Sequence, residues 1–335
     1  MKTVFLIILL SISSFAFSSE WISPIDLKYK EKNQDLFNKF NTARDLVNSW
    51  RGQNDNKLVI ADKLLREILE EDPKYAPAYR EYGRVHIMVG YVNSNKFKEG
   101  SLNLSEISIL KAIEIEPKYA DAYVLLGHLY TQMKKYKEAQ AALGEAELIG
   151  TKSPWLDLNW ASLSMEQEQY SKALQRYINV LAGKTSDKKA YISALSGLTK
   201  FYEIIGDHEN ARSYFIKQIE YEPESAWIWG NYANFLLFSR GDIDEAIENG
   251  KKALQIMNYD MGKFVLASAL YTKWAVFLDI PSKQDDAQKY FDQAWSIYPY
   301  PNDIIEKTKG HKHTHVTAKK LQDLLEKKQL AVKAL

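Results

Sequence analysis

The chain has 335 residues, 46% of them apolar and 26% charged, which is enough apolar material for a continuous core and excludes a largely disordered chain. Its 44 basic and 43 acidic residues leave a formal charge of +1, which argues against the basic stripe that nucleic acid or an anionic membrane surface demands. Cysteine is absent, so disulfides, thiolate catalysis, Cys-based zinc sites and a lipid-modified cysteine are excluded.

Lys2, an apolar run over 4–12 broken only by Ser11, and small residues at Ser14, Ala16 and Ser18 read as a secretory signal peptide over 1–18, cleaved after Ser18. The run is shorter than the roughly 20 residues of a spanning helix, and no later segment is apolar enough to cross a membrane. The mature chain is therefore expected to be soluble, in a periplasm or secreted.

Self-similarity organises the rest. Asp72-Pro73-Lys74-Tyr75-Ala76, Glu116-Pro117-Lys118-Tyr119-Ala120 and Glu222-Pro223-Glu224-Ser225-Ala226 are near-copies. Each follows an amphipathic helical run and precedes another. In the clearest copy, over 120–153, Tyr123, Leu126, Gly127 and Tyr130 are followed by Ala139, Leu143 and Ala146. Leu195, Leu198, Thr199 and Tyr202 lead likewise to Ala211, Phe215 and Pro223. Trp229, Tyr232, Ala233 and Leu236 lead to Ala246 and Ala253. Small residues recur where two helices would cross closely, among them Gly83 and Gly127 on first helices and Ala61, Ala139 and Ala211 on second ones.

This pattern resembles the tetratricopeptide repeat (TPR), a helix-turn-helix of about 34 residues. The resemblance implies an all-α, right-handed α-solenoid of about seven units with a C-terminal capping helix. The units are placed near 35–75, 76–119, 120–153, 154–191, 192–225, 226–260 and 261–301, within a superhelix over 19–301. The first has a degenerate first helix. The second carries an insertion over 91–104, read as a long inter-helix loop, and the last is lengthened around Pro281. Pro299 to Asn302 break the repeat. A His-containing linker and a C-terminal helix occupy 302–335, with Leu321, Leu324, Leu325 and Val332 as the helix's apolar stripe.

No catalytic constellation stands out: there is no glycine-rich phosphate loop, His-Glu-x-x-His or Gly-x-Ser-x-Gly. No enzyme activity, cofactor or assigned metal site is expected. His311, His313 and His315 would point to one side of an extended segment and share a metal; an exposed, tag-like stretch is the plainer reading.

In the family the concave groove is lined mainly by the first helix of each unit. Carried onto this sequence, the resemblance implies partner-binding roles for Arg80, Arg84, His128, Asn159, Lys200, Trp227, Asn231, Asn234 and Phe238. The asparagines offer both a donor and an acceptor to an extended backbone. The expected function is a non-enzymatic interaction scaffold or assembly factor of the bacterial cell envelope, holding a protein or peptide in the groove and no nucleic acid. One alternative is an accessory protein of envelope polysaccharide synthesis or export, with a glycan ligand that exposed tryptophans would favour. Another is metal handling through the segment of His311 and His315.

Overall fold

The computed structural model describes residues 21–50, 56–93, 96–183 and 185–333. The signal peptide read over 1–18 lies outside them. The described chain is helical apart from one two-stranded hairpin. It divides into two compact units, Met1–Ala194 and Leu195–Leu335.

The first unit opens with α1 (Pro24–Lys32) and α2 (Gln34–Ser49). Ser23 caps α1: its hydroxyl accepts from Asp26 N at 3.0 Å, and Pro24 fills the first turn, where no amide donor is needed. On α2, Leu36, Phe37, Phe40, Ala43 and Val47 form one buried stripe at helical spacing. It packs on α3 (Lys57–Glu71), whose Leu58, Ala61, Leu65 and Ile68 answer it. Three further antiparallel pairs follow: α4 (Ala76–Gly90) with α5 (Ser101–Ile115), α6 (Ala120–Gln132) with α7 (Tyr136–Ile149), and α8 (Pro154–Glu166) with α9 (Tyr170–Ala182).

The close crossings read from the sequence are present. A Cβ added at Gly83 would lie 2.5 Å from Ile109 Cγ1, and one at Gly127 would lie 2.5 Å from Leu143 Cγ. Only a hydrogen on the first helix lets the large side chain of the second fill the gap. The proline motifs form the turns between pairs. Tyr75 N donates to Asp72 O and Tyr119 N to Glu116 O, each at 3.0 Å, and both tyrosine rings are buried in the core.

Four of the turns inside pairs share a rule. Lys134, Glu168, Gly206 and Gly241 take positive φ directly after the first helix. Amides just beyond return to helix carbonyls: Lys135 N to Tyr130 O, Gln169 N to Ser164 O and Asp207 N to Tyr202 O, at 2.8 to 2.9 Å. The fourth turn departs from this spacing, because Leu236–Arg240 wind as a π-turn. The extra residue shifts the closing bond to Asp242 N and Leu236 O.

The insertion over 91–104 is not simply a loop. Tyr91–Asn93 and Lys96–Phe97 pair as an antiparallel hairpin between α4 and α5, and α5 starts at Ser101, inside the stretch read as loop.

In the second unit the later residues of α10 (Lys188–Ile204) pack on α11 (His208–Tyr221). Gln218 Nε2 donates to Thr199 Oγ1 at 2.8 Å, and the Tyr202 and Tyr214 rings stack 5.5 Å apart. Next come α12 (Ala226–Phe235) with α13 (Ile243–Ile256), and α14 (Asp260–Leu278) with α15 (Gln284–Ile297). Pro301 and Asn302, read as a break, open a further helix, α16 (Pro301–Thr308). It pairs with α17 (His315–Lys333), and both lie on α14. Ile304 and Leu321 are buried there, Thr317 Oγ1 donates to Thr272 Oγ1 at 3.1 Å, and Lys320 Nζ donates to Ala275 O at 2.6 Å. Among the described residues no helix is long and apolar enough to cross a membrane.

Candidate functional site

A cleft of about 530 Å³ lies in the first unit, lined by residues of α1, α2, α4, α6 and α8 and of the α9–α10 loop. Arg80, Arg84, His128 and Asn159, four of the residues expected to bind a partner, line it together.

Its wall is a set of charges that water barely reaches. Glu81 is fully buried, and Asp26 is 2% exposed. Isolated ions so placed would cost several kcal/mol each, and the surrounding arginines offset that cost. Arg84 grips Glu81 Oε1 through Nη1 at 2.7 Å and Asn48 Oδ1 through Nη2 at 2.9 Å. Asp26 accepts a short hydrogen bond from the Tyr119 hydroxyl and lies 3.8 Å from Arg44 Nη1.

Arg80 is held differently. Its guanidinium lies 3.5 Å from Glu81, 3.6 Å from Asp26 and 4.0 Å from Asp121, all beyond good hydrogen-bond distance. Its Nε is buried with no hydrogen-bond partner. Burial works against the Arg80 charge, but Tyr119, Asp26, Glu81 and Asp121 outweigh it and hold the group above its ordinary pKa. Arg80 is thus a cation held by surrounding charge rather than by close hydrogen bonds. Burial also raises the Asp121 carboxyl, against the pull of Arg80.

On the next helices, burial lowers the His128 pKa, and the positive charge of Arg84 adds to this while the Asn159 side chain opposes it. The ring is therefore a neutral donor and acceptor at pH 7. Asn159 is 7% exposed and donates to Val124 O at 3.0 Å, so half of its amide already serves to join α8 to α6. Trp155 Nε1 donates to Asp187 Oδ2 at 2.7 Å, and Asp187 Oδ1 caps α10 by accepting from Ala190 N at 2.9 Å. This fixes the α9–α10 loop, with Lys188 and Lys189, at the cleft.

The other expected residues lie in the second unit. Lys200 is exposed on α10. Trp227 is 47% exposed with its ring 4.5 Å from that of Tyr259, and Asn231 is exposed one turn further along α12. Asn234 is half-buried, and neither carboxamide has a hydrogen-bond partner among the described residues. Phe238 is 6% exposed: His311 packs on it at 4.7 Å and Lys307 lies over its ring at 5.2 Å. Phe238 is thus held by the C-terminal segment.

The histidines do not share one side of an extended strand. Residues 309–314 form turns, and His315 begins α17. His311 faces Phe238, His313 lies against Gly241, and His315 Nδ1 engages Lys312 O at 2.8 Å. Among the described residues no group of three His, Cys, Asp or Glu side chains is placed to hold a metal ion.

Sequence reasoning missed Asp26, Arg44 and Asn48, because the first repeat is degenerate and Asp26 precedes it. A local signal for α1 was present: Ser23-Pro24-x-Asp26 is a helix-start signature.

Tetratricopeptide repeat models match residues 108–141 and 198–225. The chain carries tetratricopeptide repeats. Solved structures with the same fold include the Pseudomonas aeruginosa pilF protein, at 18% identity and a TM-score of 0.50, covering 69% of this chain and 94% of that one. PilW, described as a widely conserved type IV pilus biogenesis factor, aligns at 18% identity and a TM-score of 0.53 over 71% of this chain and 99% of its own. In the Cut9–Hcn1 hetero-tetramer of the APC/C the match is 16% identical with a TM-score of 0.54; it covers 73% of this chain but only 45% of that one. No curated protein matches the sequence. These likenesses establish the fold of this TPR protein, and its site rests on its own side chains.

Proposed function

We propose that this TPR protein is a non-enzymatic scaffold or assembly factor of the bacterial cell envelope, exported by its signal peptide, that holds a segment of a protein partner in the first unit's cleft. The observation that carries the reading is Arg80, a largely covered cation held by three carboxylates at 3.5 to 4.0 Å, with its Nε unpaired, at the wall of a 530 Å³ cleft. A cation positioned by charge rather than by close hydrogen bonds keeps donor capacity for an arriving ligand carbonyl. Val124, Leu125, Ile87 and Met88 supply apolar lining for the side chains of such a segment. The fold shared with pilF and PilW supports the assembly-factor reading, and Lys2, the 4–12 run and Ser18 support export.

A second reading, an accessory role in polysaccharide synthesis or export, is favoured by the exposed Trp227 beside the unengaged Asn231 and Asn234. One experiment separates them. The full-length gene is expressed in its own cells, fractions are assayed for the protein, and partners are captured with wild type, Leu125→Arg and the Asn231→Ala, Asn234→Ala double variant. A periplasmic partner lost only with Leu125→Arg is the expected result. Partners indifferent to Leu125→Arg, or a protein retained in the cytoplasm, overturn the proposal. Polysaccharide lost with the double variant transfers the function to the second unit.

A further inference from the structure

Helices α7, α8 and α9 and the turn from α8 into α9 border a second groove in the first unit, of about 380 Å³, whose composition differs from that of the cleft. No aliphatic side chain lines it; apart from Trp160 every lining residue is polar or charged.

The arginine is neutralised within the protein, while Lys172 is exposed and has no carboxylate partner among the described residues. Arg176 spans Glu147 and Asp157, with both contacts at 2.9 Å, and its guanidinium lies 5.5 Å over the Trp160 ring. Lys172 donates to Gln169 Oε1 at 2.9 Å. What remains is carboxamide. Gln140 and Gln169 both donate to Gln167 Oε1, at 3.3 and 3.4 Å, the long end of the range. The Gln167 amino group has no acceptor among the described residues. The Gln140 and Gln175 carbonyls accept from none, although Gln175 Nε2 donates to Asn179 Oδ1 at 3.0 Å. Trp160 Nε1 is buried and without a hydrogen-bond partner.

We infer that this groove is a binding site for a neutral saccharide. A hydroxyl both donates and accepts, and a carboxamide offers both partners on one rigid plane. Weak amide–amide bonds are exchanged for stronger ones when hydroxyls enter, and the Arg176–Glu147 pair stays together. A peptide is the poorer fit: its backbone would find amides, but its side chains would find none of the apolar pockets from which peptide grooves draw selectivity. An acidic glycan would meet Glu147, with Arg176 already paired and the exposed Lys172 as the single remaining cation of the lining. The inference stands apart from the cleft and does not depend on what the cleft binds.

The test uses the full chain on an array of neutral and acidic oligosaccharides and neutral peptides, followed by titration of the best neutral oligosaccharide with side-chain amide NMR. Retention of neutral glycans is expected, with the carboxamide signals of Gln167 and Gln175 moving on titration. Binding should weaken at least about tenfold in Gln167→Leu, which removes a bidentate group worth roughly 1.4 kcal/mol or more on the RT scale. Gln175→Leu should act in the same direction, with the melting temperature of both variants near that of wild type. Because the lining glutamines are not core residues, a folded but non-binding variant is obtainable. No retained neutral glycan, retention of peptides instead, or affinity unchanged in both variants overturns the assignment.

Discussion

The first unit leaves the faces of α4, α6 and α8 open over a charged cleft, whereas the second covers the end of α12 and much of α14 with the chain's own C-terminal helices. The side chains follow that difference. On α14, twelve of nineteen residues are buried, including Leu270, Tyr271 and Trp274, so the helix is apolar nearly all round and is finished as core. On α4, Arg80 and Arg84 occupy the open face and are balanced by Glu81, Asp26 and Asp121. One helix pair can therefore become a ligand-facing wall or an internal layer. Which it becomes depends on whether the chain supplies something to lie on it.

The comparison is broken most directly by removing the acid behind the cleft. Glu81→Leu takes the shared, fully buried partner from Arg80 and the partly exposed Arg84, and the expected cost is about 3 kcal/mol. Chemical denaturation gives the size, and hydrogen exchange should place the loss in α2, α4 and α6. A variant as stable as wild type would mean that the charges are solvated and the cleft wall is soft.

The matching change in the second unit is Leu321→Ala. Leu321 is 1% exposed, and truncating it should cost about 2–5 kcal/mol, with faster exchange confined to α14, α16 and α17. If exchange in α14 is unaffected, the C-terminal helices do not act as its cover.

The smallest effect is a pH dependence. Burial lowers the His128 pKa below its ordinary value, so the unfolded chain takes up a proton near pH 6.5 while the folded chain does not. The unfolded state binds more protons in that window, so stability falls as pH drops below about 6.5. His86 and His311 are lowered by burial as well and act in the same direction. The melting temperature should fall between about pH 7 and 5.5, with a shallower fall in His128→Asn. An identical slope in the variant would show that His128 is already solvated in the folded state.

The sequence by itself determined the helix pairs, their small crossing residues and the turns between them. Those features are local or recur at a fixed period: Gly83 and Gly127 sit where only a hydrogen fits, and Pro73, Pro117 and Pro223 stop helices wherever they occur. Lys134 and Glu168 take positive φ as Gly206 does, yet nothing in their chemistry announces it. The resemblance to the family was enough to bring Arg80, Arg84, His128 and Asn159 to one cleft. Only the tertiary structure decided that Asp26, 54 positions before Arg80, shares its wall, that Phe238 lies under His311, and that three neighbouring histidines point to different partners. Charge pairing across distant helices and the covering of one face by another segment carry no period along the chain. They exist only once burial makes each unpaired ion and each exposed apolar face costly.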